Sequence, residues 1–142
     1  MAASFRSYVD ALKKNNELAV ISKPVDLRNV AALAAQSEKG LLFTNVSGYN
    51  MPLATGLLQS RNRLAIGMEC GYEKIETKLP GAMERPIKPR RVGRAPVKDV
   101  IHVKNKVDLY NLPVPVFSVM DGGPMITAGV VIAEDRATAE SA

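Results

Sequence analysis

The stretch LAVISKPVDLRNVAALAAQSEKGLLFTNV, residues 18–46, decides the fold. Leu18-Ala-Val-Ile21 is an apolar run of strand length. Lys23-Pro-Val-Asp26 breaks it, because proline fixes φ and lacks a backbone donor. Val30, Ala31, Ala34 and Ala35 then repeat at helical spacing, and Gly40 suits the position just past a helix C-terminus. Leu41-Leu-Phe-Thr-Asn-Val46 reads as a buried strand, followed by a turn at Ser47-Gly-Tyr-Asn50. Strand, helix and strand alternate, which points to an α/β (α+β) fold.

Towards the N-terminus, Ser4 can cap a helix over about 5–14, with Phe5, Tyr8, Val9 and Leu12 on its apolar face and Asn15-Asn16 as its stop. Towards the C-terminus, Leu53-Ala-Thr-Gly-Leu-Leu58 reads as a strand. A helix should start near Ser60 and bury Leu64, Ala65 and Met68. From Lys78 to Pro96 four prolines and two glycines interrupt any long period, so this stretch is expected to be a linker or extended arm. Val97-Lys-Asp-Val-Ile-His-Val103 returns to strand character, Asn105 to Asp108 turns, and Leu112-Pro-Val-Pro115 must be extended. The run Ile126 to Ala133 has no polar face, so as a strand it needs cover on both sides. The expected division is an N-terminal lobe at 1–78, a Pro-rich basic linker at 79–96 and a second unit from 97 to 142.

A chain of 142 residues is long enough for one self-sufficient domain or two small lobes. With 46% apolar and 23% charged residues it lies far from disordered or fibrous compositions. Neither an apolar leader nor a stretch of about 20 apolar residues is present, so no membrane contact is expected and a cytoplasmic location follows. The single cysteine, Cys70, excludes an internal disulfide and offers no metal-binding pair.

Each chemistry-bearing residue has a plain reading beside the functional one. His102 is the only histidine and alternates with Ile101 and Val103, so a structural or surface role outweighs a catalytic one. Cys70 has no histidine close in sequence and reads as an inert, partly buried thiol. The acidic residues are scattered and suggest no paired carboxylates. Gly122-Gly123 precedes Pro124 and a strand-like run, whereas a phosphate loop follows a strand and opens a helix, so Asp121-Gly-Gly-Pro124 reads as a turn. The net charge of +5 is concentrated at Arg85, Lys88, Arg90, Arg91, Arg94 and Lys98. Such a run could meet nucleic acid, but between 84 and 98 no aromatic residue interleaves the charges, so a solvated linker or an arm against an acidic surface is favoured.

Several blocks resemble the UbiD-type decarboxylases. Residues Ser4 to Ile21, followed by Pro24-Val-Asp26, are similar to the family's opening helix, strand and "V-D" step. Leu41-Leu-Phe-Thr-Asn-Val-Ser-Gly48 with Met51-Pro52 resembles its "alLFenvkG…mPv" segment, and Gly56 to Ala65 its "gnlfgsreRla". Pro96-Val-Lys-Asp-Val100 resembles its "gPvkevv". Val107-Asp-Leu-Tyr-Asn-Leu-Pro-Val-Pro115 with Asp121-Gly-Gly-Pro-Met-Ile-Thr-Ala-Gly129 resembles its "vDLtkLPiP…DgGpyiTaG". The blocks occur in family order over nearly the whole chain.

The resemblance implies a carboxy-lyase acting on aromatic or α,β-unsaturated carboxylic acids with prenylated FMN, a divalent metal (manganese) and potassium. It implies that residues 97–142 begin a split β-barrel-like flavin-binding domain. Thr127 matches a threonine that opens a strand of the family's cofactor domain and is the one candidate cofactor-binding residue here. The family's glutamate-arginine-glutamate catalytic set and its metal-binding asparagine, histidine and glutamate follow the segment that would begin after Ala142, so neither set is expected in this chain. The expected partners are the remainder of the decarboxylase or a catalytic partner subunit, a small carboxylic acid as substrate and further copies of the chain in a homo-oligomer, with no nucleic acid. The alternative is a non-catalytic subunit that stabilises a catalytic partner, and in either case the chain alone should retain no cofactor.

Overall fold

The structure, a computed structural model, describes residues 4–88, 90 and 92–130. Helix α1, Phe5–Lys14, has the limits that its end signals demand. Ser4 Oγ accepts from Ser7 N–H at 3.1 Å, while Ser4 N–H donates to Ser7 Oγ at 3.0 Å, closing a reciprocal cap. Lys13 and Lys14 in the last turn face the negative helix end, and Asn16 at φ 58° turns the chain out.

Strand β1, Leu18–Ile21, leads through a 3-10 turn at Leu27–Asn29 into helix α2, Val30–Ala35, and then into strand β2, Gly40–Phe43. β1 and β2 pair in parallel from Leu18 opposite Gly40 to Ile21 opposite Phe43, and β3, Leu53–Thr55, pairs antiparallel with β2. The sheet order is therefore β1-β2-β3. Alternation along β2 divides the core. Leu41 and Phe43 pack with Val25, Val30, Ala34 and Val46 beneath α2. Leu42 turns instead towards Val9, Leu12 and Leu18.

Helix α3, Arg61–Met68, is capped by Ser60 Oγ, which accepts from Arg63 N–H at 3.2 Å. Helix α4, Ile75–Glu84, follows. The mixed helices and small mixed sheet confirm the α+β expectation.

Four local expectations are corrected. The second helix stops at Ala35, and Gly40 opens β2 rather than following a helix end. A Cβ at Gly40 would stand 3.1 Å from Leu18 Cδ1 and 3.2 Å from Leu57 Cδ2, so close packing of the strands explains this glycine. The arm expected from Lys78 is helical as far as Glu84 and passes through Pro80. The buried Ile75 and the Lys78 ammonium, which donates to the Met68 and Glu69 carbonyls, anchor α4 against the proline's effect. Residues 97–103 form no strand: Pro96–Lys98 is a 3-10 turn, and Val97, Val100, Ile101 and Val103 are exposed. Despite their strand-like composition they pair with neither edge strand, β1 nor β3. The apolar run from Ile126 is likewise not a strand through Val130, and Thr127-Ala128 forms a turn. The remainder of that run, 131–133, lies outside the described residues.

Candidate functional site

Thr127, the one candidate cofactor residue, lies on an exposed turn at the edge of a cleft of about 220 Å³. The prolines of Leu112-Pro-Val-Pro115 hold that segment extended, with Pro113 and Pro115 buried. Beyond it the chain doubles back. Asp121 Oδ2 accepts from Phe117 N–H at 3.2 Å and Ser118 N–H at 2.9 Å, and Met125 N–H donates to Pro115 O at 3.1 Å. The Asp121 carboxylate thus makes the turn, and Gly122 and Gly123 add open space and no positive φ. This closure brings Met125 to Ala128 beside Pro113 to Pro115 and across from Leu53 to Gly56. Two stretches far apart in the chain, 53–56 and 113–128, therefore meet at one cleft.

The cleft is anchored from below. Tyr8 Oη donates to Leu57 O at 2.7 Å and lies 3.0 Å from Arg63 O, fixing the backbone next to Gly56, whose φ of +69° requires glycine. Burial pushes the Tyr8 hydroxyl up from its ordinary pKa, against an opposite influence from the Arg63 guanidinium, so it remains a donor at neutral pH. Arg63 is buried, and its Nη1 meets Glu17 Oε2 at 3.2 Å and Glu38 O at 2.7 Å. One arginine on α3 therefore ties together the turns that precede β1 and β2.

A second hollow of about 450 Å³ lies along the same segment, between Leu27, Arg28 and Tyr49 and the run Leu109 to Ile126. Val114 and Ile126 line both hollows. Arg28 at its rim is engaged, since its Nε and Nη2 meet the Asp26 carboxylate at 2.9 and 2.7 Å. Those bonds, with the Arg28 backbone N–H, hold the Asp26 carboxyl down to about 2.

The other residues considered from the sequence do not converge. His102 is exposed, with Nδ1 3.0 Å from Lys106 O. Cys70 is a half-buried free thiol just past α3. Arg85, Lys88, Arg90, Arg94 and Lys98 are all exposed, and Arg91 lies outside the described residues. Among the described residues no three His, Cys, Asp or Glu side chains could hold a metal ion, and no helix is long and apolar enough to cross a membrane. The cleft at Thr127 offers hydroxyls of Thr55 and Thr127, backbone groups and an apolar wall, and no cation lines it. Ligand pockets usually occupy about 300–1,000 Å³, so these residues alone do not fit a whole flavin with its phosphate, and with no carboxylate or imidazole among them they do not fit a manganese ion. Sequence reasoning picked out Thr127 and the Asp121 turn, and missed Tyr8, Glu17 and Arg63 as the supports of the cleft floor. Only the Ser60 cap preceding Arg63 gave a local signal there.

Two consecutive family models match in order: the 3-octaprenyl-4-hydroxybenzoate carboxy-lyase N-terminal domain over residues 9–79 and the Rift-related domain of the same family over 90–142. The chain belongs to the UbiD family. It is 35% identical to the anhydromevalonate phosphate decarboxylase of Methanosarcina mazei, over 92% of this chain and 30% of that protein. It is 34% identical to an uncharacterised protein encoded in the cooM 5′ region of Rhodospirillum rubrum, over 92% of this chain and 29% of that one. Among solved structures, an evolved dimeric form of the UbiD-class enzyme HmfF from Pelotomaculum thermopropionicum, in complex with prFMN, superposes with a TM-score of 0.87. That match has 35% identity and covers 97% of this chain and 34% of HmfF. The chain thus spans about a third of the length of these UbiD-family relatives.

Proposed function

We propose that this chain serves as the N-terminal third of a UbiD-type carboxy-lyase that acts on aromatic or α,β-unsaturated carboxylic acids with prenylated FMN. Residues 1–78 make a rigid lobe, and residues 97–142 begin the flavin-binding domain. The observation that carries the reading is the ordered match of both family models, together with a superposition on a prFMN-bound enzyme that covers 97% of this chain. Prenylated FMN supplies the electron sink for loss of carbon dioxide when bound in such enzymes. This chain's share is positional: the wall around Thr127 can place a hydroxyl beside a ligand, while Asp121 and Pro115 hold that wall in shape. The groups that would protonate the product and bind a metal, and potassium with it, come from outside the described residues.

The test is a chimera in which residues 1–142 replace the matching third of the Methanosarcina mazei decarboxylase. Loaded with prenylated FMN and manganese, it should retain flavin through gel filtration and release carbon dioxide from anhydromevalonate phosphate. Thr127→Val should lower flavin retention, whereas residues 1–142 alone should show neither property. A folded chimera that holds no flavin, or a chain that turns over alone, refutes the proposal.

A further inference from the structure

The hollow of about 450 Å³ that shares Val114 and Ile126 with the Thr127 cleft takes no part in the proposed reaction. Its volume lies within the range of small-molecule pockets, about 300–1,000 Å³. Its walls are aliphatic: Leu27 comes from the lobe, and Leu112, Val114, Val116 and Ile126 come from the proline-stiffened segment and its return. Water in such a hollow meets carbon on several sides, so an apolar occupant gains by displacing it. Two polar groups among these carbons decide what the other end of that occupant must be. Arg28 is the first. Its Nε and Nη2 meet the two oxygens of Asp26 at 2.9 and 2.7 Å, and Asp26 Oδ1 also accepts from the Arg28 backbone N–H at 2.9 Å. A guanidinium has five donors and can present more than one edge to a carboxylate, and Asp26 takes only the Nε–Nη2 edge. The Nη1 end has no partner among the described residues, yet the bonds to Asp26 hold it in place. Tyr49 is the second. Its half-buried ring packs against the core, and its hydroxyl makes no hydrogen bond among the described residues, although such a hydroxyl usually has a partner.

We propose that this hollow binds an aliphatic carboxylate, its acyl chain against the Leu and Val walls and its head on Arg28 Nη1 and Tyr49 Oη. Aliphatic carbon beside two spare donors, one of them cationic, matches that chemistry and no other end group as well. Asp26 offsets part of the Arg28 charge, so the head gains a fixed pair of donors rather than a long-range attraction. A saturated acid of this kind differs from the aromatic and α,β-unsaturated substrates of the proposed reaction, so the site does not depend on that reading.

The probe is octanoate. The chain has no tryptophan, so Tyr110→Trp at the exposed rim of the hollow supplies a single fluorescent reporter. Its emission should shift saturably to the blue with octanoate, which should bind at least about fivefold more tightly than octan-1-ol. Acetate, which lacks the apolar body, should give no response. Arg28→Gln in the same background should weaken octanoate at least about fivefold and leave octan-1-ol unchanged, whereas Lys14→Gln on α1 should change neither. Circular dichroism verifies the fold of each variant. Hydrogen exchange of the unsubstituted chain places the ligand independently. The amides of Val114 and Met125, which donate to Leu112 O at 2.8 Å and Pro115 O at 3.1 Å, should exchange at least about threefold more slowly with octanoate bound. Octan-1-ol that binds as tightly as octanoate, indifference to Arg28→Gln, or unchanged exchange at both amides overturns the site. The titration is repeated on the flavin-free chimera with the Methanosarcina mazei decarboxylase. Octanoate binding there supports the site, and its loss overturns it by showing that the rest of the polypeptide fills the hollow. None of these readouts involves flavin or turnover, so the failure of this site and the failure of the carboxy-lyase reading are seen separately.

Discussion

Arg63→Ala should be among the most damaging single changes in the N-terminal lobe, although no catalytic role attaches to the residue. The Arg63 side chain is 3% exposed, and its guanidinium serves both the Glu17 carboxylate at 3.2 Å and the Glu38 carbonyl at 2.7 Å. Removing one partner of a buried ion pair typically costs about 3–5 kcal/mol, chiefly because the other charge stays behind unpaired. Glu17 keeps 24% of its side chain in water and can recover part of its hydration, which lowers the expectation to about 2–3 kcal/mol. Against a total stability of about 5–15 kcal/mol this is a large fraction. Urea denaturation followed by circular dichroism measures it: with a slope of about 1–3 kcal/mol per molar, the midpoint should fall by about 0.7–3 M. Glu17→Gln, which keeps the Glu38 carbonyl but leaves the buried guanidinium without its counter-charge, should cost about 3 kcal/mol. A double-mutant cycle then isolates the pair. A midpoint shift below about 0.3 M for Arg63→Ala would show that the arginine is not the tie between the turns before β1 and β2.

Phe43→Ala, at a side chain fully excluded from water beneath α2, should cost about 3–5 kcal/mol in the same assay. Asp26 has its folded-state pKa lowered to about 2, so the stability it adds is present above its ordinary value near 4 and is lost as pH falls through about 2. Asp26→Asn should therefore flatten the acid limb of a stability-against-pH curve between those values, and an unchanged limb would refute the assignment. The exposed cations at 85–98 should bind single- or double-stranded oligonucleotides only weakly at physiological salt, since no aromatic residue stands among them. Submicromolar binding that Arg90→Ala abolishes would reverse that reading.

The N-terminal lobe was legible because its signals are local and agree with one another. Ser4 and Asn15-Asn16 mark the ends of α1, Ser60 caps α3, and the apolar runs at 18–21 and 41–43 are strands because each other's edges are available. Gly40 misled because two unrelated constraints favour glycine, a left-handed turn after a helix and a close approach of side chains, and only packing tells which one operates. α4 ran past Pro80 because contacts with α3 outweigh a local preference that the sequence displays plainly. In the second unit the sequence composition was read correctly and the pairing was not. Val97 to Val103 and Ile126 to Val130 carry strand-forming residues, but a strand exists only where a neighbour accepts its hydrogen bonds, and β3 is the last strand of the sheet.

The lobe and the segment carrying Thr127 are held in different ways. Each face of the small sheet meets side chains from helices of the same chain, so the lobe contains the reasons for its own shape. The cleft is a hybrid. Its floor, Leu53 to Gly56, belongs to that self-sufficient lobe and is pinned through Tyr8, whereas its wall, Pro113 to Ala128, is held by the Asp121 carboxylate and one backbone bond to Pro115. A wall secured so lightly carries little of the folding free energy and can adapt to what is laid against it. Two hollows share it through Val114 and Ile126, so a ligand or polypeptide surface seated on one side bears on the shape of the other. The floor is therefore pinned by the lobe through Tyr8, and the wall carrying Thr127 by the Asp121 turn and the buried Pro113 and Pro115.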